Sequence, residues 1–307
     1  MSQNFDYIFS YHFIQRAVDR IYNRLFPARA RCFSLCKQLI SEKIGLEIGG
    51  PSSVFSRKGI LPIYPLAKQC DNCNFSHNTI WEGFIIDGRT FKYDRKRYAG
   101  NQYICEATNL NNCSADTYDF ILSSHVIEHI ANPLLALSEW LRILKVGGVL
   151  ILLVPHKDGT FDHRRPLTTI DHLMEDFRQG TNENNLSHLG EILELHDLEK
   201  DPGAGTFEAF KTRSVDNAEN RCLHHHVFDT ELVLQVLNHM RLQILSVEPM
   251  PPYHIVAIAQ KLSSKQLPDN HSFFSDEAEY RQLSPFVSDS RCPCRPQIPK
   301  RVAEKCE

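Results

Sequence analysis

The sequence predicts an α/β fold in which helices flank a mainly parallel sheet. Strand-length apolar runs alternate with helical patterns through residues 44–260, as they do in chains that build parallel sheets. The run at residues 148–154 is fully apolar and bounded by glycine and proline, which is typical of a strand buried on both faces. The segment 133–144 places leucines on one helical face, at positions 134, 137, 141 and 144.

The composition indicates a globular protein with a substantial core. The chain has 307 residues, of which 42% are hydrophobic and 23% charged, and this excludes a disordered or fibrous chain. The formal net charge of −3 argues against nucleic acid as a partner. No apolar run has the length of a membrane-spanning helix, and the N-terminus lacks a signal-peptide pattern. We therefore expect a soluble, cytoplasmic protein without a membrane span.

The sequence pattern predicts the positions of the strands and helices along the chain. The predicted strands cover residues 44–48, 102–105, 118–123, 148–154, 242–247 and 254–259, and one more strand lies within residues 60–73, where Pro62 and Pro65 blur its position. The predicted helices cover residues 133–144, 168–178, 187–195 and 229–240. Asp87 and Gly88 separate two runs rich in β-branched and aromatic residues, 79–86 and 89–93. Because Asp-Gly favours a type I′ turn, we expect a β-hairpin insertion here.

These elements divide the chain into three parts. Residues 1–43 have apolar residues at helical spacing and are expected to form an N-terminal helical lid. Residues 44–262 form the main domain, in which the His-rich insertion 156–230 is expected to be a substrate cap. Residues 263–307 lose periodicity, so we expect a poorly ordered tail there. The scattered cysteines are expected to be reduced, structural thiols, although Cys70 and Cys73 form a C-x-x-C pair.

Two motifs point to a binding site at the carboxyl ends of the strands. The first is LEIGGPS at residues 46–52, in which glycines permit a tight turn and let backbone N–H groups approach a ligand. The second is YDFILSSHVIEHI at residues 118–130, followed by a helix that ends in RILKVGG at residues 142–148. Parallel sheets bind ligands at this edge.

Together these motifs resemble the class I S-adenosylmethionine-dependent methyltransferases of the type 11 family. The resemblance covers residues 44–155 well and residues 229–260 more loosely. It implies a Rossmann-like sheet and S-adenosylmethionine as the cofactor. Pro51 and Ser53 replace two glycines of the family's first motif, and Val146 replaces its usual proline.

The resemblance also implies roles for single residues. Glu47 and Gly49 would lie against the methionine part of the cofactor, with Gly50 giving the turn its flexibility. Asp71 is the candidate for binding the ribose hydroxyls. The other expected cofactor-binding residues follow the third strand and end the fourth: Glu106, Ala107, Ser123 and Ser124.

The candidate catalytic residues are histidines. A methyl group on a sulfonium is already activated, so the protein mainly positions a nucleophile and excludes water. A hydroxyl nucleophile also needs a general base, for which histidine is the usual choice near neutral pH. His156 is the favoured base because it follows the fifth strand directly, and His163 and His125 are further candidates.

A divalent metal is a second interpretation of the insertion. His156, Asp162, His163 and part of the run 224–226 could converge on an ion that clamps two substrate oxygens. Adjacent histidines on a strand point to opposite faces and cannot all bind one ion. We therefore prefer a polar cap without a metal.

The function that follows is methyl transfer from S-adenosylmethionine to a polar acceptor. The His, Arg, Asp and Tyr content of the insertion suits a hydroxyl-rich small molecule, a sugar or a glycan, methylated at oxygen. Two alternatives remain open: a binding protein that has lost the cofactor at Pro51, and a metal-dependent enzyme that uses the His-rich insertion.

Overall fold

The computed structural model describes residues 29–290. Its strands are β1 (Ile44–Ile48), β2 (Gln69–Asn74), β3 (Asn78–Thr79), β4 (Gly83–Phe84), β5 (Gly88–Phe91), β6 (Gly100–Ile104), β7 (Tyr118–Ser124), β8 (Leu144–Pro155), β9 (Leu242–Met250) and β10 (His254–Lys261). Its α-helices are α1 (Phe33–Ile40), α2 (Pro133–Ile143), α3 (Ile170–Gln179), α4 (Leu189–Leu195), α5 (Phe207–Val215), α6 (Asn217–Asn220), α7 (Thr230–His239), α8 (His271–Phe274) and α9 (Glu279–Leu283).

The predicted α/β architecture is confirmed. The main sheet has the order β5-β6-β2-β1-β7-β8-β10-β9. Strands β6, β2, β1, β7 and β8 run parallel, whereas β10 is antiparallel to both of its neighbours and β5 is antiparallel to β6. The chain leaves β1 towards β2 and returns to β7 on the other side. This change of direction creates a crevice at the carboxyl ends of β1 and β7.

The core lies on both faces of the sheet. In β8, Leu150, Leu152 and Val154 belong to the cluster beneath α2 and α7, while the alternate residues 149, 151 and 153 belong to the cluster beneath α1. Both sets are buried, as the apolar run predicted. Among residues 29–290, no helix is long and apolar enough to cross a membrane.

The hairpin insertion is present, but its turn is not at Asp87 and Gly88. Strands β3 and β4 form a separate two-stranded sheet, closed by residues 80–82. Gly88 instead pairs with Gln102, at the edge of the main sheet. The second predicted arm therefore pairs with β6 rather than with the first arm.

The expectation of a poorly ordered tail is wrong for residues 263–290. Tyr280 is buried in the main core, and the amide oxygen of Asn270 accepts the N–H of Ile244 at 2.8 Å. Asp289 is also buried. This segment is therefore part of the domain, and the remaining residues of the predicted tail lie outside the described part of the chain.

Candidate functional site

A cavity of about 540 Å³ lies at the carboxyl ends of the parallel strands. Residues that end or follow four strands contribute to its wall: Gly49 after β1, Asn74 in β2, Glu106 after β6 and His125 after β7. Ligands bind at this edge of α/β sheets. The cavity is therefore the candidate active site.

The glycine turn after β1 lines the cavity in a backbone conformation that favours glycine. Gly49 has a φ of +79°, and its N–H donates to the carbonyl of Cys73 at 2.8 Å. A Cβ at this position would lie 2.7 Å from Cγ2 of Val126, so glycine is required. Pro51 and Ser52 line the cavity as well. The turn therefore still lines the cavity although Pro51 replaces the family's second glycine.

Glu47 supports this turn and does not line the cavity. Its buried carboxylate accepts the N–H of Ser52 at 3.0 Å and the hydroxyl of Tyr64 at 2.6 Å. Burial raises the pKa of Glu47 to about 7, although both hydrogen bonds act to lower it. A Cβ on Gly50 would lie 2.1 Å from this carboxylate. Glu47 and Gly50 thus stabilise the turn on the side that faces the core, and neither residue lies where the cofactor is expected.

Asp71 also lies outside the cavity. Its carboxylate accepts the N–H of Asn101 at 2.8 Å and the hydroxyl of Tyr118 at 3.0 Å. The residue that ends β2 at the cavity is Asn74. The expected ribose contact of Asp71 is misplaced, because β2 continues past it and its carboxylate is used within the sheet.

The other predicted cofactor residues divide between the cavity wall and the core. Glu106, Ala107 and Ser124 line the cavity, and Glu106 accepts a hydrogen bond from Arg221 at 2.6 Å. Ser123 is fully buried, and its hydroxyl has no hydrogen-bond partner among residues 29–290. The contacts of these residues with the cofactor stay predictions.

His125 lines the cavity in an unusual backbone conformation. Its φ of +55° is uncommon for a residue other than glycine. Its Nε2 lies 2.9 Å from Nδ1 of His254, and its ring packs edge-on against Tyr253. Burial lowers the pKa of His125 to about 3, so the ring is neutral at pH 7. Its catalytic role stays a prediction.

The two other predicted bases lie away from the cavity. His156 is fully buried, its Nε2 lies 3.2 Å from Oδ1 of Asp289, and its ring stacks on Phe286. His163 is paired with Asp197 at 2.8 Å and does not line the cavity. The expectation that His156 faces the site is wrong, because residues 286–289 pack on it.

A histidine that the sequence grouped only with metal ligands lines the cavity instead. Nδ1 of His224 donates to Asp162 at 2.5 Å, and Asp162 also accepts from Arg165 at 2.9 Å. Burial acts to raise the pKa of Asp162, but His224 and Arg165 outweigh it and lower the pKa to about 2. Burial acts to lower the pKa of His224, but Asp162 and Glu128 outweigh it and raise the pKa. The hydrogen bond to Asp162 keeps a proton on Nδ1 of His224, so in the neutral imidazole Nε2 is the acceptor.

Glu128 and His129 complete a buried polar group with His224. Neither carboxylate oxygen of Glu128 has a hydrogen-bond partner within the described residues, and burial raises its pKa to about 7. His129 donates from Nδ1 to the carbonyl of Leu223 at 3.1 Å, and its Nε2 lies 3.9 Å from Oε1 of Glu128. One ligand atom from each of the three residues lies within 4.8 Å of the others, so the group could hold a cation.

Two segments cover the cavity. Trp81 and Glu82 contribute from the β3–β4 hairpin, and Phe161 and Lys200 contribute from the His-rich insertion. None of residues 29–43 lines the cavity. The part of the expected N-terminal lid that the structure describes packs on the core instead, and residues 1–28 lie outside the described part.

The residues of the cavity fit S-adenosylmethionine. Gly49 lies in the cavity wall, and Ile48 and Val126 supply apolar surface. Asn74 and Glu106 place polar groups at two neighbouring strand ends. A nucleoside with hydroxyl and amino groups is bound by such a combination of apolar wall and few polar groups.

The chain is similar to a protein family and to several solved structures. A family model described as a methyltransferase domain matches residues 12–201. An S-adenosylmethionine-dependent methyltransferase from Aquifex aeolicus is 14% identical over 82% of this chain and 98% of that one, with a TM-score of 0.41. One from Methanosarcina mazei is 15% identical over 74% of this chain and 97% of that one, with a TM-score of 0.43. A comparison with curated proteins gave no match.

The family match spans more than half of the chain. It includes the glycine turn, the four strand ends at the cavity and the first part of the insertion. The matching model is of type 23, whereas the motifs alone suggested type 11, and the class I assignment is confirmed. The chain therefore belongs to the methyltransferase domain family, and it is an enzyme that uses S-adenosylmethionine as its cofactor.

Proposed function

We propose that the enzyme methylates a hydroxyl oxygen of a polar small molecule or sugar, with His224 as the general base. The observation that carries this proposal is the hydrogen bond from Nδ1 of His224 to Asp162 at 2.5 Å. It fixes the tautomer and orientation of an imidazole that lines the cavity. S-adenosylmethionine supplies an activated methyl group when bound, so this chain's residues have to position the acceptor and take its proton.

Arg165 makes Asp162 an orienting group rather than a second base. The Arg165 side chain is buried, and it donates to Asp162 at 2.9 Å and to Glu191 at 2.8 Å. A guanidinium is always charged, so it keeps the neighbouring Asp162 carboxylate ionised. The ionised carboxylate stabilises His224 when the imidazole gains a proton.

The rest of the wall supports a hydroxyl-rich acceptor. Glu183, Lys200 and Asp201 of the insertion line the cavity and offer donors and acceptors for hydroxyl groups. Trp81 and Phe161 add aromatic surface against which an apolar ring face can pack. A few polar groups on an apolar wall are sufficient to orient a small polar ligand.

A cation at Glu128, His129 and His224 is a second route to the same product. The unpartnered carboxylate of Glu128 favours it, since a divalent ion would satisfy both oxygens. The ion would lower the pKa of the acceptor hydroxyl directly, and His224 would then be a ligand rather than a base. The test has to separate these two roles.

The test combines product analysis with matched variants. The full chain is incubated with methyl-labelled cofactor and a panel of hydroxyl-bearing and amine-bearing acceptors, and NMR of the product locates the methyl group. His224→Gln is expected to lower kcat by about 10²–10⁴-fold, the usual effect of losing a general base. Its calorimetric Kd for the cofactor should not change. The control His163→Gln, outside the cavity, should behave as wild type.

Two results would overturn the proposal. A product methylated at nitrogen or carbon would exclude the hydroxyl acceptor. Activity that a chelator abolishes and Mn²⁺ restores would assign His224 to metal binding rather than to proton transfer.

A further inference from the structure

The insertion that caps the cavity has little apolar core of its own. Its separate hydrophobic cluster contains four buried residues: Ile192, Ala204, Phe210 and Leu223. A segment as long as residues 156–230 with so small a core commonly needs a cross-link such as a bound metal. Polar residues that meet inside the insertion are therefore of interest.

One group of such residues joins three segments of the insertion. His172 and Asp176 lie one turn apart on α3, His188 comes directly before α4, and His226 comes shortly before α7. Nε2 of His172 lies 3.1 Å from Nε2 of His188 and 3.2 Å from Oδ2 of Asp176. Oδ2 of Asp176 lies 3.8 Å from Nε2 of His226. These four residues are called the cap cluster below.

Two buried atoms of the cap cluster have no hydrogen-bond partner among the described residues. Oδ1 of Asp176 accepts the hydroxyl of Thr181 at 2.9 Å, but Oδ2 is buried and has no hydrogen-bond partner in the described chain. Nε2 of His226 lies 3.3 Å from the carbonyl oxygen of Ala131, and its buried Nδ1 has no partner there. When the proton is on Nδ1, the lone pair of Nε2 is free to bind an ion. Asp176 and His226 are only 6% and 2% exposed. Buried acceptors of this kind are unfavourable unless a ligand binds them.

Three of the ligand atoms suit a zinc ion. Zinc binds nitrogen and oxygen at about 2.0–2.2 Å, so two ligand atoms of a tetrahedral site are about 3.4 Å apart. Oδ2 of Asp176 lies 3.2 Å from Nε2 of His172 and 3.8 Å from Nε2 of His226, and one ligand atom from each of the three residues lies within 4.8 Å of the others. Imidazoles with one carboxylate favour zinc over magnesium or calcium, which prefer oxygen ligands. We propose that His172, Asp176 and His226 bind one zinc ion, which fastens α3 to the segment that carries His226.

The proposed ion is structural and separate from the reaction. No residue of the cap cluster lines the cavity. The ion's three protein ligands lie outside the cavity wall, so the ion contributes to the fold of the insertion and not to the reaction. The ligand set also differs from the one suggested by the sequence alone, since His156 pairs with Asp289 and His163 pairs with Asp197.

The zinc content of the full-length protein tests the proposal. Protein made without a histidine tag is expected to contain about one zinc ion per chain by mass spectrometry. His172→Ala and Asp176→Asn are expected to lose most of this zinc. Glu128→Gln is the matched control, because Glu128 belongs to the other group that could hold a cation, and it should keep its zinc. Zinc that leaves with Glu128→Gln but stays in the cap-cluster variants would overturn the proposal.

A second measurement uses the wild-type protein, in case the variants do not fold. Chelation is expected to lower its melting temperature by several degrees, and added zinc should restore it, because a ligand that binds only the folded state stabilises that state. Cobalt(II) added to the zinc-depleted protein should show the visible bands of a tetrahedral site. A melting temperature that neither chelator nor zinc changes, together with the absence of cobalt bands, would overturn the proposal. These measurements do not use methyl transfer, so they stand apart from the proposed function.

Discussion

Nε2 of His156 lies 3.2 Å from Oδ1 of Asp289, which joins the end of β8 to the last described segment of the chain. The other oxygen of Asp289 accepts the hydroxyls of Thr230 at 2.8 Å and Ser284 at 2.6 Å. One buried carboxylate thus connects the central sheet, α7 and the segment after β10. This arrangement gives His156 a structural role.

Asp289→Ala should destabilise the protein. The change leaves His156, Thr230 and Ser284 without their acceptor in a buried place, which costs about 2–3 kcal/mol of unfolding free energy. Urea denaturation measures this loss, with Glu277→Ala, an exposed carboxylate of the same segment, as the control. Equal unfolding free energies for Asp289→Ala and wild type would show that the contact contributes nothing.

The strands of the sheet could be predicted because their signal is local. The apolar run at residues 148–154 and the pattern before Ser124 each identify a strand without reference to the rest of the chain. The packing of residues 263–290 could not be predicted in this way. Helices α8 and α9 contain four and five residues, which is too short for a helical period to show.

The site residues that could be predicted from the sequence are those that come after the predicted strands. Gly49, Glu106 and His125 line the cavity because each follows a predicted strand directly. The pair of Asp162 and His224 had no such signal, since 62 positions separate the two residues and only the folded insertion brings them together. Burial also separates residues of the same type: His156 is fully buried, whereas His224 lines the cavity.

Glu47 should make stability depend on pH. Its folded-state pKa of about 7 lies above the ordinary 4.5, so the stabilisation is fully present below pH 4.5 and is lost as the pH rises through 7. The shift corresponds to roughly 3 kcal/mol. Unfolding free energies measured from pH 4.5 to 8 should therefore fall by that amount in wild type relative to Glu47→Gln.

The titratable groups that face Glu47 are Tyr64, Cys70 and Glu82. They are the same in both proteins, so the difference between the two pH profiles isolates Glu47. The exposed control Glu194→Gln should follow the wild-type profile. Parallel profiles for wild type and Glu47→Gln would show that folding does not raise the pKa of Glu47.

Gly49→Ala should weaken cofactor binding. The new Cβ would lie 2.7 Å from Cγ2 of Val126, at a φ of +79° that alanine adopts only with strain. A distortion of about 1.4 kcal/mol in the turn would raise the calorimetric Kd about tenfold. Val126→Ala in the same chain should recover part of the loss. The control is Gly190→Ala, where a Cβ meets nothing within 4 Å, and a loss of affinity there equal to that of Gly49→Ala would contradict the explanation.

Trp81 should report acceptor binding and contribute to it. The chain has two tryptophans, and Trp140 is fully buried while Trp81 lines the cavity and is 51% exposed. Its ring packs edge-on against His129, with 5.5 Å between the centroids. An acceptor that covers Trp81 should therefore change the protein's fluorescence. The change should be absent in Trp81→Phe, because the buried Trp140 does not line the cavity.

Trp81→Ala should raise KM for the acceptor by about tenfold, since the contact of a large aromatic side chain commonly provides more than 1.4 kcal/mol. The matched control is Phe84→Ala on the same hairpin, because Phe84 is 77% exposed and does not line the cavity. If the hairpin acted only by shielding the cavity from water, both variants would lower kcat and leave KM unchanged. A selective effect of Trp81→Ala on KM instead assigns Trp81 to direct contact with the acceptor.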